Sequence, residues 1–164
     1  MENDRKFVES VWSTLRDHGV QTWVMGGWAE ELWGHCDPRQ HGDLDLLFPS
    51  ETFESVDTFL RIIPAVNEIV QKRFSHKRAF EFHGVRVEVI IALPDGDGYQ
   101  TSFFGGSSAI DWPLDTFLFS KSPSSTEIGV ISPAALVAYR NNRKMIAAAY
   151  ETHNRPRPFN MGGI

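Results

Sequence analysis

The sequence predicts an α/β (α+β) fold, a mixed central sheet flanked by helices. Three observations predict it. Apolar residues recur at helical spacing near both ends of the chain, over 7–15 and after Ser132-Pro133. Between these ends lie short runs rich in Val, Ile and Phe, bounded by Gly and Pro. The order of elements is helix–strand–helix–strand–helix and then several strands, which suits helices layered on a sheet of mixed direction. At 164 residues one domain is expected, over 1–152, followed by a Pro/Gly/Arg-rich tail at 153–164.

The first helix presents Phe7, Val8, Val11, Trp12 and Leu15 on one face and ends at Gly19. Residues 22–25 form a short β-prone run closed by Gly26-Gly27, and 28–33 suit a short helix stopped by Gly34. Residues 35–42, which include Pro38, read as a loop, and 43–48 as a strand. Pro49 breaks that strand. Ser50 can then cap a helix over 51–62, with Phe53, Val56, Phe59 and Leu60 on its buried side. Residues 66–74 and 77–82 read as strands. His83-Gly84 is a turn signal before a strand over 85–93, where Val85, Val87, Val89 and Ile91 share one face and Arg86 and Glu88 the other. The sequence PDGDG at 94–98 reads as a loop, and 99–121 as irregular with one strand near 116–119. Ser132 then Pro133 mark the N-cap and first turn of a helix running to about residue 150.

The formal net charge of −5 and a pI of about 5.6 argue against a nucleic-acid partner without excluding it. Cys36 is the only cysteine, so an internal disulfide is excluded and a reducing, cytoplasmic setting is expected. The opening residues are charged and lack the apolar core of a signal peptide. No apolar run approaches the ~20 residues of a membrane span, so no membrane partner is expected.

The stretch that carries chemistry is GGWAEELWGHCDPRQHGDLDLLF, residues 26–48. Asp43 and Asp45 alternate on a strand, so they share a face with Cα atoms roughly 6–7 Å apart. At ~5 Å between charges and an effective dielectric near ~20, their repulsion costs about 3 kcal/mol. A shared cation removes that cost, and Mg²⁺ suits carboxylate oxygens while leaving positions open to phosphate. Gly26 and Gly27, at a strand-to-helix turn, expose backbone N–H groups to a phosphate. Together these features point to nucleotide chemistry.

Gly26, Gly27, Trp28 and Ala29, followed by Arg39, His41, Asp43 and Asp45 in an Arg-x-His-x-Asp-x-Asp stretch, resemble the DNA polymerase β-type nucleotidyltransferase superfamily. Within it the string is most similar to the lincosamide and aminoglycoside nucleotidyltransferases. The resemblance implies a polymerase β-like nucleotidyltransferase fold. It also implies transfer of an NMP group from an NTP to a hydroxyl of a small acceptor, an antibiotic among the candidates, with release of pyrophosphate. It implies two Mg²⁺ ions held by Asp43, Asp45 and a third acid. Glu88 is the expected third ligand and proton acceptor, although the family more often has Asp there; Glu81 is the runner-up. Arg39 is expected on a phosphate, and His41 either there or supporting its loop. Arg140 and Lys144, one helical turn apart, are the expected late-helix cations for the triphosphate.

Plainer readings accompany these. Trp28 and Trp33 suit packing, and His35, Cys36 and His41 lack a fourth ligand for zinc. The basic cluster Lys72, Arg73, His76, Lys77, Arg78 and Arg86 reads either as a polyanion surface or as the solvated side of a hairpin. Two other functions suit the same fold: a toxin–antitoxin-type enzyme modifying tRNA or protein, and a non-catalytic nucleotide-binding module. Little sequence remains to wall an acceptor. Tyr99, Phe103, Phe104 and Trp112 are therefore expected in a homodimer interface or acceptor groove, or over the end of the monomer's own sheet.

Overall fold

The structure, a computed structural model, describes residues 2–155. Helix α1 (Arg5–Asp17) starts where the Asp4 carboxylate accepts from the Phe7 N–H, and it buries Phe7, Val8, Val11, Trp12 and Leu15. Strand β1 (Trp23–Met25) runs straight into α2 (Gly26–Leu32), so Gly26 and Gly27 are the first turn of the helix and not a turn before it. Next come β2 (Asp43–Pro49), α3 (Glu54–Ile62), β3 (Val66–Glu68), β4 (Lys77–Phe82) and β5 (Val85–Asp95). Strands β6 (Gly98–Ser102), β7 (Ala109–Trp112), β8 (Phe119–Lys121) and β9 (Ile128–Val130) precede helices α4 (Pro133–Asn141) and α5 (Arg143–Asn154).

The main sheet runs β3-β4-β5-β2-β1-β9-β8, and the β6–β7 hairpin continues from the end of β5. Its centre is parallel, β2 against β5, while β1 lies antiparallel on the other side of β2. Direction is mixed, as expected. Beyond Asp45, β2 is buried on both faces through Leu46, Leu47 and Phe48. Before that point it alternates, so Asp43 and Asp45 stay partly open while Leu44 is sealed in the core.

Several expected boundaries move. Ser50 does not cap α3: its N–H donates to the Ala92 carbonyl and prolongs the β2–β5 pairing, so the helix starts only at Glu54. The strand expected over 66–74 ends at Glu68, and Val70–Lys72 is a 3₁₀ turn leading to a bridge between Phe74 and Lys77. The expected loop at 94–98 is a tight hairpin, since Gly96 adopts φ +57° and Asp95 pairs with Gly98. The segment 99–121 is not irregular. It contains β6, β7 and β8, pinned by Thr101, whose hydroxyl donates to the Ile91 carbonyl and accepts from the Trp112 indole. The late helix breaks at Asn142, whose amide donates to the Ala138 carbonyl and competes with the helical ladder. Helix α5 continues past residue 152, to Asn154; residues 156–164 of the expected tail lie outside the described residues. No described helix is long and apolar enough to cross a membrane.

Candidate active site

Parallel pairing of β2 and β5 sets Asp43 opposite Arg86 and Asp45 opposite Glu88. Neighbouring strands lie about 4.8 Å apart, so Asp45 and Glu88 face each other across one strand spacing. Glu81 pairs with Arg86 on β4 and is exposed, farther from the Asp pair. The third acid the geometry brings to the pair is thus Glu88.

Gly26 closes over Asp45. Its φ is +63°, and a Cβ there would come within 2.8 Å of the Asp45 Oδ2. No other residue tolerates that conformation and that approach together. At Gly27, a Cβ would meet the Arg39 guanidinium at 3.0 Å and the His41 ring at 3.1 Å. The glycine pair therefore leaves bare backbone between the carboxylates and the loop that carries Arg39.

The three acids differ in their surroundings. Burial pushes the Asp45 carboxyl up to about 7, reinforced by the charges of Asp43 and Glu88. No donor among the described residues hydrogen-bonds to it. Glu88 is buried, which opposes ionisation, yet Lys77 and Lys72 hold it below the usual carboxylate range; their ammonium groups lie 2.9 and 3.1 Å from its oxygens. Asp43 is paired with the Arg86 guanidinium at 2.5 Å. Among the described residues no three His, Cys, Asp or Glu side chains converge into a ready-made metal cage. The donor set nevertheless fits a hard divalent cation. It consists of carboxylate oxygens on one face, and Asp45 has mutual repulsion and burial without a donor to offset them.

Around this centre lies a cleft of about 460 Å³, lined by Gly26, Gly27, Asp45, Lys72, Lys77 and Phe104 together with Tyr139, Arg143, Ile146, Ala147 and Tyr150. Burial, then the nearby Asp45 charge, pushes the Tyr139 hydroxyl up, so it stays protonated as a donor. At one end, Glu30 of α2 gathers three guanidinium groups from three segments. Arg140 donates at 2.8 Å, Arg39 at 3.2 Å, and Arg143 lies at 3.9 Å. All three remain about half exposed, so one carboxylate presents an open cationic cluster beside Gly27.

His41 is held inside the fold. It stacks on Trp28 with ring centroids 4.1 Å apart and bonds Glu31 at 2.7 Å, leaving its side chain buried. Trp28 in turn donates to Asn3, whose amide donates to the His41 and Asp43 carbonyls. This chain of contacts fixes the entry of β2 and hence the Asp pair. Trp28 is core, and Trp33 packs against Phe119 with its indole donating to the Ile131 carbonyl.

Arg39 lies against Gly27, and Arg140 shares Glu30 with Arg143, so each is next to a cleft residue; neither they nor the exposed Lys144 line the cleft itself. The expected shared face fails because the helix breaks at Asn142, and Arg143 occupies the place instead. Lys72 and Lys77 were not expected at the site. Their signal lies in the β4–β5 hairpin: His83 and Gly84, both at positive φ, fix the register that puts small Ala79 opposite Glu88. Lys77, two residues along the same face, is then a diagonal neighbour of Glu88. Most of the basic cluster is ion-paired or buried, although Arg73 stays exposed. Arg73 and Arg78 pair with Asp57, Lys72 and Lys77 with Glu88, and His76 is buried. Phe103 and Trp112 are buried and Tyr99 packs on Phe117, so these three cover the monomer's own sheet. Phe104 alone of the four reaches the cleft.

The sequence profile described as aminoglycoside-2''-adenylyltransferase matches residues 7–153. No curated protein sequence matches the chain. Among solved structures, it is similar to a lincosamide antibiotic adenylyltransferase with lincomycin bound, at 14% identity and a TM-score of 0.67, covering 93% of this chain and 98% of that one. It is similar to ANT(2'')-Ia in complex with adenylyl-2''-tobramycin at 13% identity and a TM-score of 0.58, covering 91% and 84%. It also resembles a Thermotoga maritima protein assigned to the nucleotidyltransferases, at 16% identity and a TM-score of 0.53, covering 90% and 89%. At such identities the likeness speaks for the fold: a mixed sheet with helices, arranged as in nucleotidyltransferases.

Proposed function

The chain belongs to the aminoglycoside-2''-adenylyltransferase family, and from that premise we propose that this nucleotidyltransferase moves an NMP group, AMP by the family's description, from an NTP to a hydroxyl of a small antibiotic-like acceptor, releasing pyrophosphate. One observation carries the reading: Asp45 stands in register with Glu88, one alternation from Asp43, under a glycine whose missing Cβ leaves its carboxylate uncovered.

Asp43, Asp45 and Glu88 are the residues that would hold Mg²⁺, two ions with the nucleotide, which when bound supplies charge neutralisation for the triphosphate and the departing pyrophosphate. The protein's own groups do the rest. Bare backbone at Gly27 and the guanidinium groups of Arg39, Arg140 and Arg143 receive the phosphate tail. The acceptor hydroxyl oxygen forms a bond to the α-phosphorus. The bond from that phosphorus to the bridging oxygen breaks, and pyrophosphate leaves with the electron pair. The hydroxyl proton passes to Glu88. Lys72 and Lys77 lower the basicity of Glu88 while they pair with it. A polyphosphate that draws them away raises that basicity as the substrate arrives. In-line displacement asks mainly for positioning, which the two central strands provide.

The pairing of the basic cluster with Asp57 and Glu88 favours a small acceptor over RNA. The reading is tested by pyrophosphate release from ATP, Mg²⁺ and a pool of hydroxylated antibiotics. Wild type is expected to turn over, and Glu88→Gln to lose kcat by orders of magnitude with a smaller change in nucleotide binding. No release by wild type, or an unchanged rate in the variant, overturns it.

A further inference from the structure

Resting on that transfer reading, we propose that buried His76, which does not itself line the cleft, is a positioning residue for the nucleotide: its Nδ1 fixes the backbone of Phe104, and Phe104 seats helix α5 as a wall of the cleft. The need arises at α5. This helix brings Arg143, Ile146, Ala147 and Tyr150 to the cleft, yet none of its described residues is buried. The break at Asn142 separates it from α4. Met145, Ile146 and Ala149 are only partly covered where they pack against the core. A cavity of about 310 Å³ opens between residues 103–108 and the helix. Rings meet beside that gap: Phe104 lies 5.5 Å from Tyr150 and 5.3 Å from His153, and Phe74 lies 5.6 Å from His153. A helix with so little buried surface is ordered by whatever fixes those rings.

Phe104 does not fix itself. It sits at φ +58°, ψ +26°, the left-handed region, which a bulky residue adopts only under constraint. Its N–H donates to Nδ1 of His76 at 3.1 Å, and its ring lies 4.5 Å from the imidazole. His76 is firmly held in turn. It is 3% exposed, stacked on Phe74 at 5.9 Å with Phe103 edge-on at 5.1 Å, and its carbonyl accepts from the Ile91 N–H at 3.0 Å. The next residue, Lys77, opens β4 and donates to Glu88. One side chain thus joins β5, the start of β4 and the turn against which α5 rests.

Imidazole chemistry suits the task. The Phe104 N–H needs an unprotonated nitrogen opposite it, so Nδ1 offers its lone pair and the ring proton rests on Nε2. Burial, then the Lys77 charge, brings the ring down to about 4; His153 acts in the same direction and Glu88 against it. The acceptor is therefore present at neutral pH.

The test uses the purified full chain. An Asn at position 76 can place an acceptor near the Nδ1 position, whereas Gln places its amide near Nε2. His76→Gln should speed amide hydrogen exchange over residues 143–154 about tenfold. It should also weaken binding of a non-hydrolysable ATP analogue with Mg²⁺ about fivefold. His76→Asn should stay within about twofold of wild type in both measurements. Glycine adopts the left-handed conformation unaided, so adding His76→Gln to Phe104→Gly should change neither measurement further. In wild type, the imidazole ¹⁵N shifts should report the neutral Nε2–H form at pH 7. Equal behaviour of the Asn and Gln variants, or additive effects with Phe104→Gly, would overturn the proposal. So would a wild-type ring protonated at Nδ1, a result that stands even where a variant fails to fold. Exchange and nucleotide affinity unchanged in every variant remove this proposal and leave the transfer reading intact. A wild type that binds no nucleotide with Mg²⁺ removes both.

Discussion

Two carboxylates partly or wholly withdrawn from water are surrounded in opposite ways in this protein. Glu9, on α1, accepts from the backbone N–H groups of Ser124, Ser125 and Thr126 at 2.7–2.9 Å and from the Ser124 and Ser125 hydroxyls. Burial opposes its ionisation, but these donors bring it down to about 2. Asp45, on β2, suffers burial too, has Asp43 and Glu88 as neighbours, and is pushed up to about 7. Desolvation acts against the charge at both places, so the difference lies in the donors around Glu9 and the like charges beside Asp45. The fold completes the first carboxylate and uses it to tie the 124–126 turn to α1. It leaves the second incomplete, as expected of a group whose partner is a ligand.

The largest expected effect breaks the comparison at its functional side. Asp45→Asn should lower kcat/KM by at least about 10³-fold, since it removes charge from the centre of the site. The same variant should be more stable than wild type without metal at pH 8, on the order of 2–4 kcal/mol in urea melts, because it relieves a penalty of about three pKa units. The sign follows from linkage. A raised carboxyl binds a proton in the folded state that it lacks unfolded, so metal-free stability falls as pH climbs from about 4 to about 7. A destabilised Asn variant would end the comparison.

Glu9→Gln should do the reverse. It is expected to cost about 3 kcal/mol at pH 7 while kcat changes little. Glu9 is depressed, so its contribution is complete above about 4.5 and fades as pH falls toward about 2; wild type and variant should converge over that window. Gly26→Ala sharpens the geometric part. With φ at +63° and a Cβ 2.8 Å from the Asp45 Oδ2, it should lose about 1–3 kcal/mol and most activity together. The smallest expected effect is at Glu30→Gln. Freed from their shared carboxylate, Arg39, Arg140 and Arg143 should bind nucleotide less well, raising the ATP KM about five- to tenfold, on the order of 1 kcal/mol, with kcat within twofold.

The centre of this molecule was legible in its sequence because strand chemistry is local. Alternation put Asp43 and Asp45 on one face, and the Val stripe of β5 turned Glu88 to the opposite side from the core-facing valines. Membership of the aminoglycoside nucleotidyltransferases was legible too, from the glycines and the Asp pair. The periphery was less so. Strands β6 to β9 are three to five residues long and lie in Gly/Ser-rich sequence, so their pairing partners decide them, not periodicity. Asn142 looked like one more helical position until its side chain took the Ala138 carbonyl. Lys72 and Lys77 read as surface charge because the 3₁₀ turn and the Phe74–Lys77 bridge that fold them toward Glu88 arise from tertiary pairing.

The most direct test of the account is the thermal shift produced by Mg²⁺ and ATP together at pH 8, in wild type and in Asp45→Asn. Ligand at about a hundred times its Kd stabilises the native state by about 2.7 kcal/mol, which for a domain of this size is about 5–10 °C in Tm. Wild type should show that rise and the variant little of it, despite starting from the higher Tm. No shift in wild type, or an equal shift in Asp45→Asn, would contradict the claim that Asp45 is held incomplete for a metal-bound nucleotide.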